Sequence, residues 1–273
     1  MTRSILITGA STGIGHDAAH TLAERGWTVF AACRKPDDCA RLESEGLTSP
    51  HLDYEAPETI APALDSVLAA TGGRLDALFN NGAYAIPGLV EDLPTDALRA
   101  IFEANFFGWH DLTRRVIPVM RAQGHGRIVQ NSSVLGFAAA PWRGAYNATK
   151  FALEGLTDTL RMEMRGTDIH PILIEPGPIT SRFRANARAQ FERWIDWKAS
   201  VRRADYERLM DRLYRDETAR FELPASAVTK ALVHAIESPR PRARYRVTVP
   251  TTLATALKRT LPTRAFDRIV SNS

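Results

Sequence analysis

The amino-acid sequence predicts an α/β fold in which a doubly wound parallel sheet is covered by helices on both faces. Short apolar runs rich in Ile, Val and Leu alternate with amphipathic stretches of helix length, and this alternation is typical of parallel strands joined by crossover helices. The chain has 273 residues, of which 44% are hydrophobic, with no internal repeat and no Gly/Ser-rich linker. We therefore expect one domain over residues 1 to 273 with a sizeable buried core.

Six runs have the composition of buried strands: SILIT at 4–8, TVFAA at 28–32, LDALFN at 75–80, GRIVQNSS at 126–133, HPILIEPG at 170–177 and YRVTV at 245–249. A helical pattern over about 224–237 precedes the last run. Residues 181–220 are charged and aromatic without a strand signal, which indicates an insertion. A basic C-terminal extension is predicted at about 250–273.

Composition and charge exclude several classes of protein. The net charge is +4, and residues 241–273 hold seven Lys or Arg against the single acid Asp267. No aromatic-basic module accompanies this charge, so nucleic-acid binding is not expected. No run of about 18 apolar residues predicts a membrane span, and the N-terminus leaves no room for a cleaved leader. Cys33 and Cys39 are too few for a disulfide framework and lack metal-ligand company, so we expect free thiols, no metal site and a cytoplasmic protein.

A glycine turn follows the first predicted strand, in TGASTGIG at 8–15, and opens a predicted helix. Gly9 permits the tight turn and Gly13 lets the backbone approach a pyrophosphate, while the helix N-terminus offers free N–H groups. Strand, glycine turn and helix together predict a dinucleotide site. Its expected residues are Gly9, Ser11, Thr12, Gly13, Ile14 and Gly15.

Tyr146 and Lys150 lie four residues apart in GAYNATK, which places them on one face if the segment is helical. A phenol has a pKa of about 10, and a nearby ammonium favours its ionised form. Ser133 ends a predicted strand thirteen residues earlier, at the edge where doubly wound sheets bind ligands. Each residue alone would be unremarkable, but together, behind a cofactor turn, they predict reduction of a carbonyl or oxidation of an alcohol.

These motifs occur in a fixed order with NNGA at 80–83, NSSVLG at 131–136 and EPGPIT at 175–180. Over residues 4–180 the chain resembles the short-chain dehydrogenase/reductase family, and over its whole length it resembles the hydroxysteroid and retinol dehydrogenase-like branch. The resemblance implies a Rossmann-type sheet of about seven strands in the order 3-2-1-4-5-6-7, with a helical substrate lid. It also implies pairing into a homodimer or homotetramer through the helices that carry Asn105 and Tyr146.

The resemblance implies a catalytic set of Asn105, Ser133, Tyr146 and Lys150, in which Asn105 holds a water beside the lysine. It further implies that the cofactor contacts Asp53 at the adenine, Asn80 and Gly82 at the adenosine ribose, Tyr146 and Lys150, and Pro176, Gly177, Ile179 and Thr180 at the nicotinamide carboxamide. The usual family turn is Asn-Asn-Ala-Gly, so the order Gly82-Ala83 departs from it and puts the local turn geometry in question.

Cofactor preference is indicated by Arg34 and Lys35, which follow the second strand where NAD-using relatives carry an acid. A guanidinium can pair with a 2′-phosphate that an acid would repel. The sequence therefore favours NADP(H), with NAD(H) possible. The alternative is that Arg34 and Lys35 form only a solvated turn.

The sequence indicates less about the substrate than about the cofactor. Apolar candidates for the pocket wall are Phe137, Pro141, Trp142 and Phe183, and the insertion at 181–220 adds further aromatic residues. They indicate a hydrophobic ketone, aldehyde or alcohol, although the same aromatics could pack against the sheet or form a subunit contact. Leu253, Leu257 and Leu261 recur every four residues in the tail, which we expect to dock on its own domain more than on a membrane surface. Competing functions are an NAD-using dehydrogenase and a non-catalytic nucleotide sensor.

Overall fold

A parallel sheet of six strands organises the computed structural model, which describes residues 2–214 and 221–271 and, within them, omits the side chains of residues 212 and 213. The strands are β1 (Ser4–Thr8), β2 (Thr28–Ala32), β3 (Ala77–Asn80), β4 (His125–Asn131), β5 (Asp168–Glu175) and β6 (Arg244–Arg246). Their order is β2-β1-β3-β4-β5-β6, and every neighbouring pair is parallel. The predicted doubly wound sheet is confirmed.

Two edges of the sheet are shorter than predicted. Residues 48–51 run beside β2 but pair with it only through the bridges Phe30 to Thr48 and Cys33 to His51, because Pro50 has no N–H to donate to a ladder. The last strand stops at Arg246 because Thr248 instead caps a helix, its hydroxyl accepting from the Thr251 amide at 3.4 Å. Residues 48–51 occupy the place of strand 3 in the predicted order 3-2-1-4-5-6-7, so that order holds, with strand 3 reduced to two bridges.

Helices cover both faces of the sheet. On one face α1 (Gly13–Glu24) packs against α9 (Ser226–Glu237), close to the helix predicted over 224–237. On the other lie α3 (Ile60–Ala70), α5 (Gly108–Gln123) and α6 (Gly144–Glu163), while α2 (Pro36–Ser44) and α4 (Thr95–Phe102) complete the layers. Ile5 and Ile7 enter one core and Leu6 the other, as the two-residue alternation of a strand requires.

The insertion forms two helices, α7 (Phe183–Trp194) and α8 (Arg203–Tyr214), and its last residues, 215–220, lie outside the described part. Phe191, Ile195 and Tyr206 are buried in a third apolar cluster that also contains Tyr146. Phe191 and Tyr206 of the insertion therefore pack against the body of the protein, the role that the sequence analysis gives as the alternative to a pocket lining.

The C-terminal extension forms α10 (Val249–Thr260) and α11 (Thr263–Ser271). Thr251 and Phe266 are buried, whereas Leu253 is 55% exposed and Leu257 is half-buried. The extension thus docks on its own chain, but not along the whole leucine face. Within residues 2–214 and 221–271, no helix combines the length and apolarity needed to cross a membrane. Cys33 and Cys39 are buried free thiols, as predicted.

Candidate active site

The glycine turn between β1 and α1 is packed too closely for side chains. Gly9 and Gly13 have φ values of +63° and +59°, the left-handed region that favours glycine. A Cβ on Gly9 would lie 2.4 Å from the Gly82 Cα, and one on Gly15 would lie 2.4 Å from the Gly9 carbonyl oxygen. The turn is therefore pressed directly against the segment that follows β3.

The first turn of α1 presents its backbone amides without a competing side chain. Thr12 occupies the N-cap position in an extended conformation but makes no side-chain cap, and the first turn contains no acid. Unpaired amides and the positive end of a helix form a suitable site for an anion such as a pyrophosphate. Residues 9–15 therefore fit the dinucleotide predicted from the sequence.

Asn80 does not face this turn. It is fully buried, and its side chain accepts from the Tyr54 hydroxyl at 2.6 Å and donates to Thr113 at 3.0 Å and Gln130 at 2.9 Å. These bonds join β3 to β4, to α5 and to the loop that carries Tyr54, so the polar atoms of the side chain are not available to a ribose. Asn81 contacts the glycine turn instead, because its Nδ2 donates to the carbonyls of Thr8 and Gly9. The sequence analysis missed Asn81, although it is the second Asn of NNGA.

The departure at Gly82-Ala83 costs no backbone strain, since neither residue has a positive φ. Gly82 supplies the close approach to Gly9, and its carbonyl accepts from the Trp109 Nε1 at 2.9 Å. A Cβ at position 82 would lie 3.2 Å from the Gly9 amide nitrogen, a tight contact, while Ala83 packs as a partly buried residue against the core. The order Gly82-Ala83 therefore fits this turn without backbone strain.

Arg34 follows β2, and Asp53 follows the residues that run beside that strand. The Arg34 side chain is half-exposed, and its Nη1 is 3.6 Å from one carboxylate oxygen of Glu55. The other oxygen of Glu55 accepts from the Tyr84 hydroxyl. Asp53 is half-buried and uses one oxygen to accept from the Glu55 amide at 3.0 Å. Arg34 is thus accessible to a phosphate, but it would share or leave its contact with Glu55.

Tyr146 and Lys150 lie together on α6, as their spacing predicts. Both are buried, and the Lys150 Nζ is 5.6 Å from the centre of the Tyr146 ring. The same ammonium donates to the Asn131 carbonyl at 2.8 Å and lies 4.1 Å from the centre of the Trp109 ring. Ser133 follows β4, where its hydroxyl accepts from the Leu135 amide at 3.1 Å.

Burial controls the protonation of this pair. Burial raises the pKa of the Tyr146 phenol, and a hydrogen bond with Ser133 acts in the opposite direction. Burial also lowers the pKa of Lys150 to about 7, and the Glu154 carboxylate opposes that change. Tyr146 is therefore a neutral phenol at neutral pH, the form that can donate a proton.

Asn105 lies in a five-residue π-helical segment, Glu103–Phe107, between α4 and α5. Its amide group is fixed to the Tyr84 backbone, donating to the carbonyl at 2.8 Å and accepting from the amide at 3.1 Å. It also donates to Thr149, one residue before Lys150, at 3.4 Å. π-helical segments are frequent at functional sites, and the sequence pattern predicts only an uninterrupted helix here.

A charged cluster continues from Tyr146 and Lys150 along α6, at Glu154 and Asp158. Arg244 of β6 donates to Glu154 at 2.7 Å, to Asp158 at 2.9 Å and to the buried Glu175 at 2.8 Å. The sequence analysis missed this cluster. The sequence indicates the cluster only through polar residues that recur every four positions, at 146, 150, 154 and 158. This recurrence cannot identify a partner as distant in sequence as Arg244.

The segment after β5 is held from two sides. The Thr180 amide donates to the Leu223 carbonyl at 2.9 Å, next to a bridge between Ile179 and Leu223. Gly177 lies against Thr248, because a Cβ there would be 2.2 Å from its hydroxyl oxygen, and the Pro176 carbonyl accepts from the Val134 amide. The predicted nicotinamide segment is thus fixed near Ser133, with the Thr180 side chain exposed.

The four predicted pocket residues differ in their surroundings. The Phe183 ring lies 5.4 Å from that of Tyr146 in an edge-to-face arrangement. Trp142 has a φ of +66°, and its ring lies 5.2 Å from that of Tyr206, so it packs against the third apolar cluster. Phe137 is half-buried, with its carbonyl bound by Lys258, and Pro141 is exposed. Of the four, Phe183 is the one whose ring is in contact with that of Tyr146 in the described part of the chain.

Comparisons with known proteins point to one protein family. A family model described as short chain dehydrogenase matches residues 3–192. The chain is 41% identical over 271 residues to the uncharacterized oxidoreductase YbbO of Escherichia coli K12, spanning 99% of this chain and 94% of that protein. It is 31% identical over 278 residues to retinol dehydrogenase 8 of Homo sapiens, spanning 94% and 85% of the two chains.

Among solved structures, a short chain dehydrogenase/reductase from Burkholderia phymatum in complex with NAD is similar with a TM-score of 0.77. The identity is 25%, over 93% of this chain and 91% of the other. The family model covers well over half of the chain and includes the glycine turn, Ser133, Tyr146 and Lys150. The chain therefore belongs to the short-chain dehydrogenase family, a family of oxidoreductases.

Proposed function

We propose that this chain, acting as one domain, is an NADP(H)-dependent oxidoreductase that interconverts a hydrophobic ketone or aldehyde and its alcohol. The observation that carries the proposal is the burial of Tyr146 beside Lys150, next to the strand end that bears Ser133. Burial of a charged group is costly, and ionisable side chains buried beside one another mark a candidate functional site. The cofactor supplies the hydride; the chain supplies the proton and the geometry.

Each side chain has a defined task in this proposal. The amides at the start of α1 hold the pyrophosphate, and the Ser133 hydroxyl positions the substrate oxygen. Tyr146 donates its proton to that oxygen as negative charge develops there, and Lys150 stabilises the phenolate that remains. The raised pKa keeps the proton on Tyr146 at neutral pH, so the free protein holds Tyr146 in the form that donates a proton when a carbonyl is reduced.

The Arg34→Asp variant tests cofactor preference. Loss of a charge-assisted contact with the 2′-phosphate should weaken NADPH binding by about tenfold to a hundredfold, with little change for NADH. Both affinities can be measured by fluorescence titration. Lys35→Asp is the matched control, since it makes the same charge change at the neighbouring exposed position. Equal weakening of NADPH and NADH by Arg34→Asp would contradict the assignment.

The pH dependence of the reaction tests the role of Lys150. Because the pKa of Lys150 is about 7, its charge is present below that pH and lost above it, so carbonyl reduction should decline as the pH rises through this region. Glu154 favours the ammonium, so Glu154→Gln should move the decline to lower pH. The measurement is kcat/KM against pH.

Asp158→Asn is the control for that experiment. Asp158 also binds Arg244, but it lies one helical turn farther from Lys150 than Glu154 does. It should leave the position of the decline unchanged. A Glu154→Gln profile that coincides with the wild-type profile would show that Glu154 does not act on Lys150.

The class of substrate rests on the apolar surroundings of Tyr146. Phe183 contacts its ring, and Trp142 and Leu135 belong to the same apolar cluster; the human relative is named for retinol. Incubating the protein with NADPH and a panel of apolar ketones and aldehydes, and following the nicotinamide absorbance, tests the proposal directly. Cofactor binding without turnover of any carbonyl would favour the non-catalytic nucleotide sensor instead.

Assembly and location complete the proposal. Phe107 is 49% exposed in the π-helical segment, and Phe151 and Met162 are 40% and 52% exposed on α6. These apolar side chains support pairing of two chains through this face, as a homodimer or half of a homotetramer. The buried free cysteines support a reducing compartment such as the cytoplasm.

A further inference from the structure

Three side chains with metal-binding atoms converge where α1 meets the end of α2, outside the residues assigned to catalysis. His16 and His20 lie one turn apart on α1, and each Nε2 is 2.8 Å from the same oxygen of Glu45. The two imidazole rings are 4.5 Å apart. The three ligand atoms lie within 4.8 Å of one another, and no other group of three such side chains does so within residues 2–214 and 221–271.

The donor set has a chemical preference. Two imidazole nitrogens and one carboxylate oxygen suit Zn²⁺ and the neighbouring first-row divalent ions, whereas Mg²⁺ and Ca²⁺ prefer oxygen ligands alone. Zn²⁺ binds such ligands at about 2.0–2.2 Å in a tetrahedron and leaves a fourth position for water. Side chains whose ligand atoms already meet around one point need only small adjustments to admit such an ion.

The surroundings position the carboxylate and keep the site accessible. Arg41, four residues before Glu45 at the end of α2, binds the other carboxylate oxygen and also donates to the Ser11 carbonyl at 2.6 Å. Glu45 is thus oriented by a partner that does not occupy the oxygen shared by the histidines, as is common for carboxylates that bind metals. The side chains of His16, His20 and Glu45 are 34%, 36% and 27% exposed, so an ion can reach them.

We propose that His16, His20 and Glu45 form a binding site for a divalent transition-metal ion, with Zn²⁺ as the preferred ligand. The ion would replace the hydrogen bonds that now join the imidazoles to the carboxylate, with each ring binding through Nε2 and carrying its proton on Nδ1. It would tie the helix that follows the glycine turn to the end of α2. The sequence analysis predicts no metal site because it considered the cysteines and not the i, i+4 histidine pair.

Titration of tag-free protein with ZnCl₂, followed by calorimetry, tests this site. We expect saturable binding of one ion per chain at micromolar protein concentration and a rise in melting temperature with Zn²⁺, since an ion that binds the folded state stabilises it. The His20→Ala variant should weaken binding by at least about tenfold, the least effect usual for changes around a metal ligand. MgCl₂ should give no saturable binding.

His170→Ala is the matched control, because His170 also pairs with a carboxylate, that of Asp168 at 2.8 Å, but without a second imidazole. It should bind Zn²⁺ as the wild type does. NADPH binding and circular dichroism establish that both variants are folded. No saturable Zn²⁺ binding by the wild type, or equal binding by wild type and the folded His20→Ala variant, would overturn the proposal.

Discussion

Replacing Tyr146 by phenylalanine should lower kcat/KM for carbonyl reduction by about a hundredfold to ten-thousandfold, the usual contribution of a general acid. The change removes the hydroxyl proposed to donate the proton and leaves the ring, which contacts Phe183 and packs in the third apolar cluster. Folding and NADPH affinity should therefore change little. Steady-state kinetics with the best carbonyl of the substrate panel, together with NADPH titration, separate the two effects.

Tyr84→Phe is the control for the Tyr146→Phe variant. Tyr84 is a second buried tyrosine in the same apolar cluster, but its hydroxyl donates to Glu55 rather than facing Ser133. The control should retain most of the activity. A Tyr146→Phe enzyme that keeps a rate close to that of Tyr84→Phe would remove the basis for assigning Tyr146 as the acid.

Gly9→Ala should lower the free energy of unfolding by about 2–4 kcal/mol and abolish cofactor binding. The left-handed φ of +63° accounts for about 1 kcal/mol, and the rest comes from a Cβ placed 2.4 Å from the Gly82 Cα, since overpacking typically costs about 1–3 kcal/mol. Both contacting groups are backbone, so neither can move aside as a side chain would. Urea unfolding measures the loss of stability.

Gly72→Ala separates the two contributions. Gly72 has the same φ of +63° but has no atom within 4 Å of the added Cβ, so this variant should show only the conformational cost. Its NADPH affinity should equal that of the wild type. If Gly9→Ala and Gly72→Ala were equally stable and bound NADPH equally well, the close approach of Gly9 to Gly82 would have no energetic importance.

Features that depend on local sequence were predictable. Apolar runs gave five of the six strands nearly in full, because buried parallel strands need continuous Ile, Val and Leu. The four-residue spacing of Tyr146 and Lys150 places them on one helix face wherever that helix lies. The glycine turn was also predictable, because a backbone φ of +63° at Gly9 favours glycine over other residue types and so leaves a mark in the sequence.

Features that depend on distant partners were not predictable. Asn80 is recruited by Tyr54, Thr113 and Gln130, each more than twenty residues away, and so does not face the cofactor turn. Arg244 joins α6 to β5 and β6 through carboxylates that no sequence pattern pairs with it. The last strand is short because Thr248 is used as a helix cap, a competition between two plausible local structures that only tertiary packing decides.

The buried Lys150 couples the chemistry of this protein to its stability. Its pKa is about 7 in the folded chain against 10.5 for a free side chain, so between these values the unfolded state binds more protons than the folded one. The contribution of Lys150 to stability therefore becomes more favourable as pH rises from 7 towards 10.5 and is most unfavourable below pH 7. The protonation state that the proposed function assigns to catalysis is the one that opposes folding, and packing elsewhere in the chain must offset that cost.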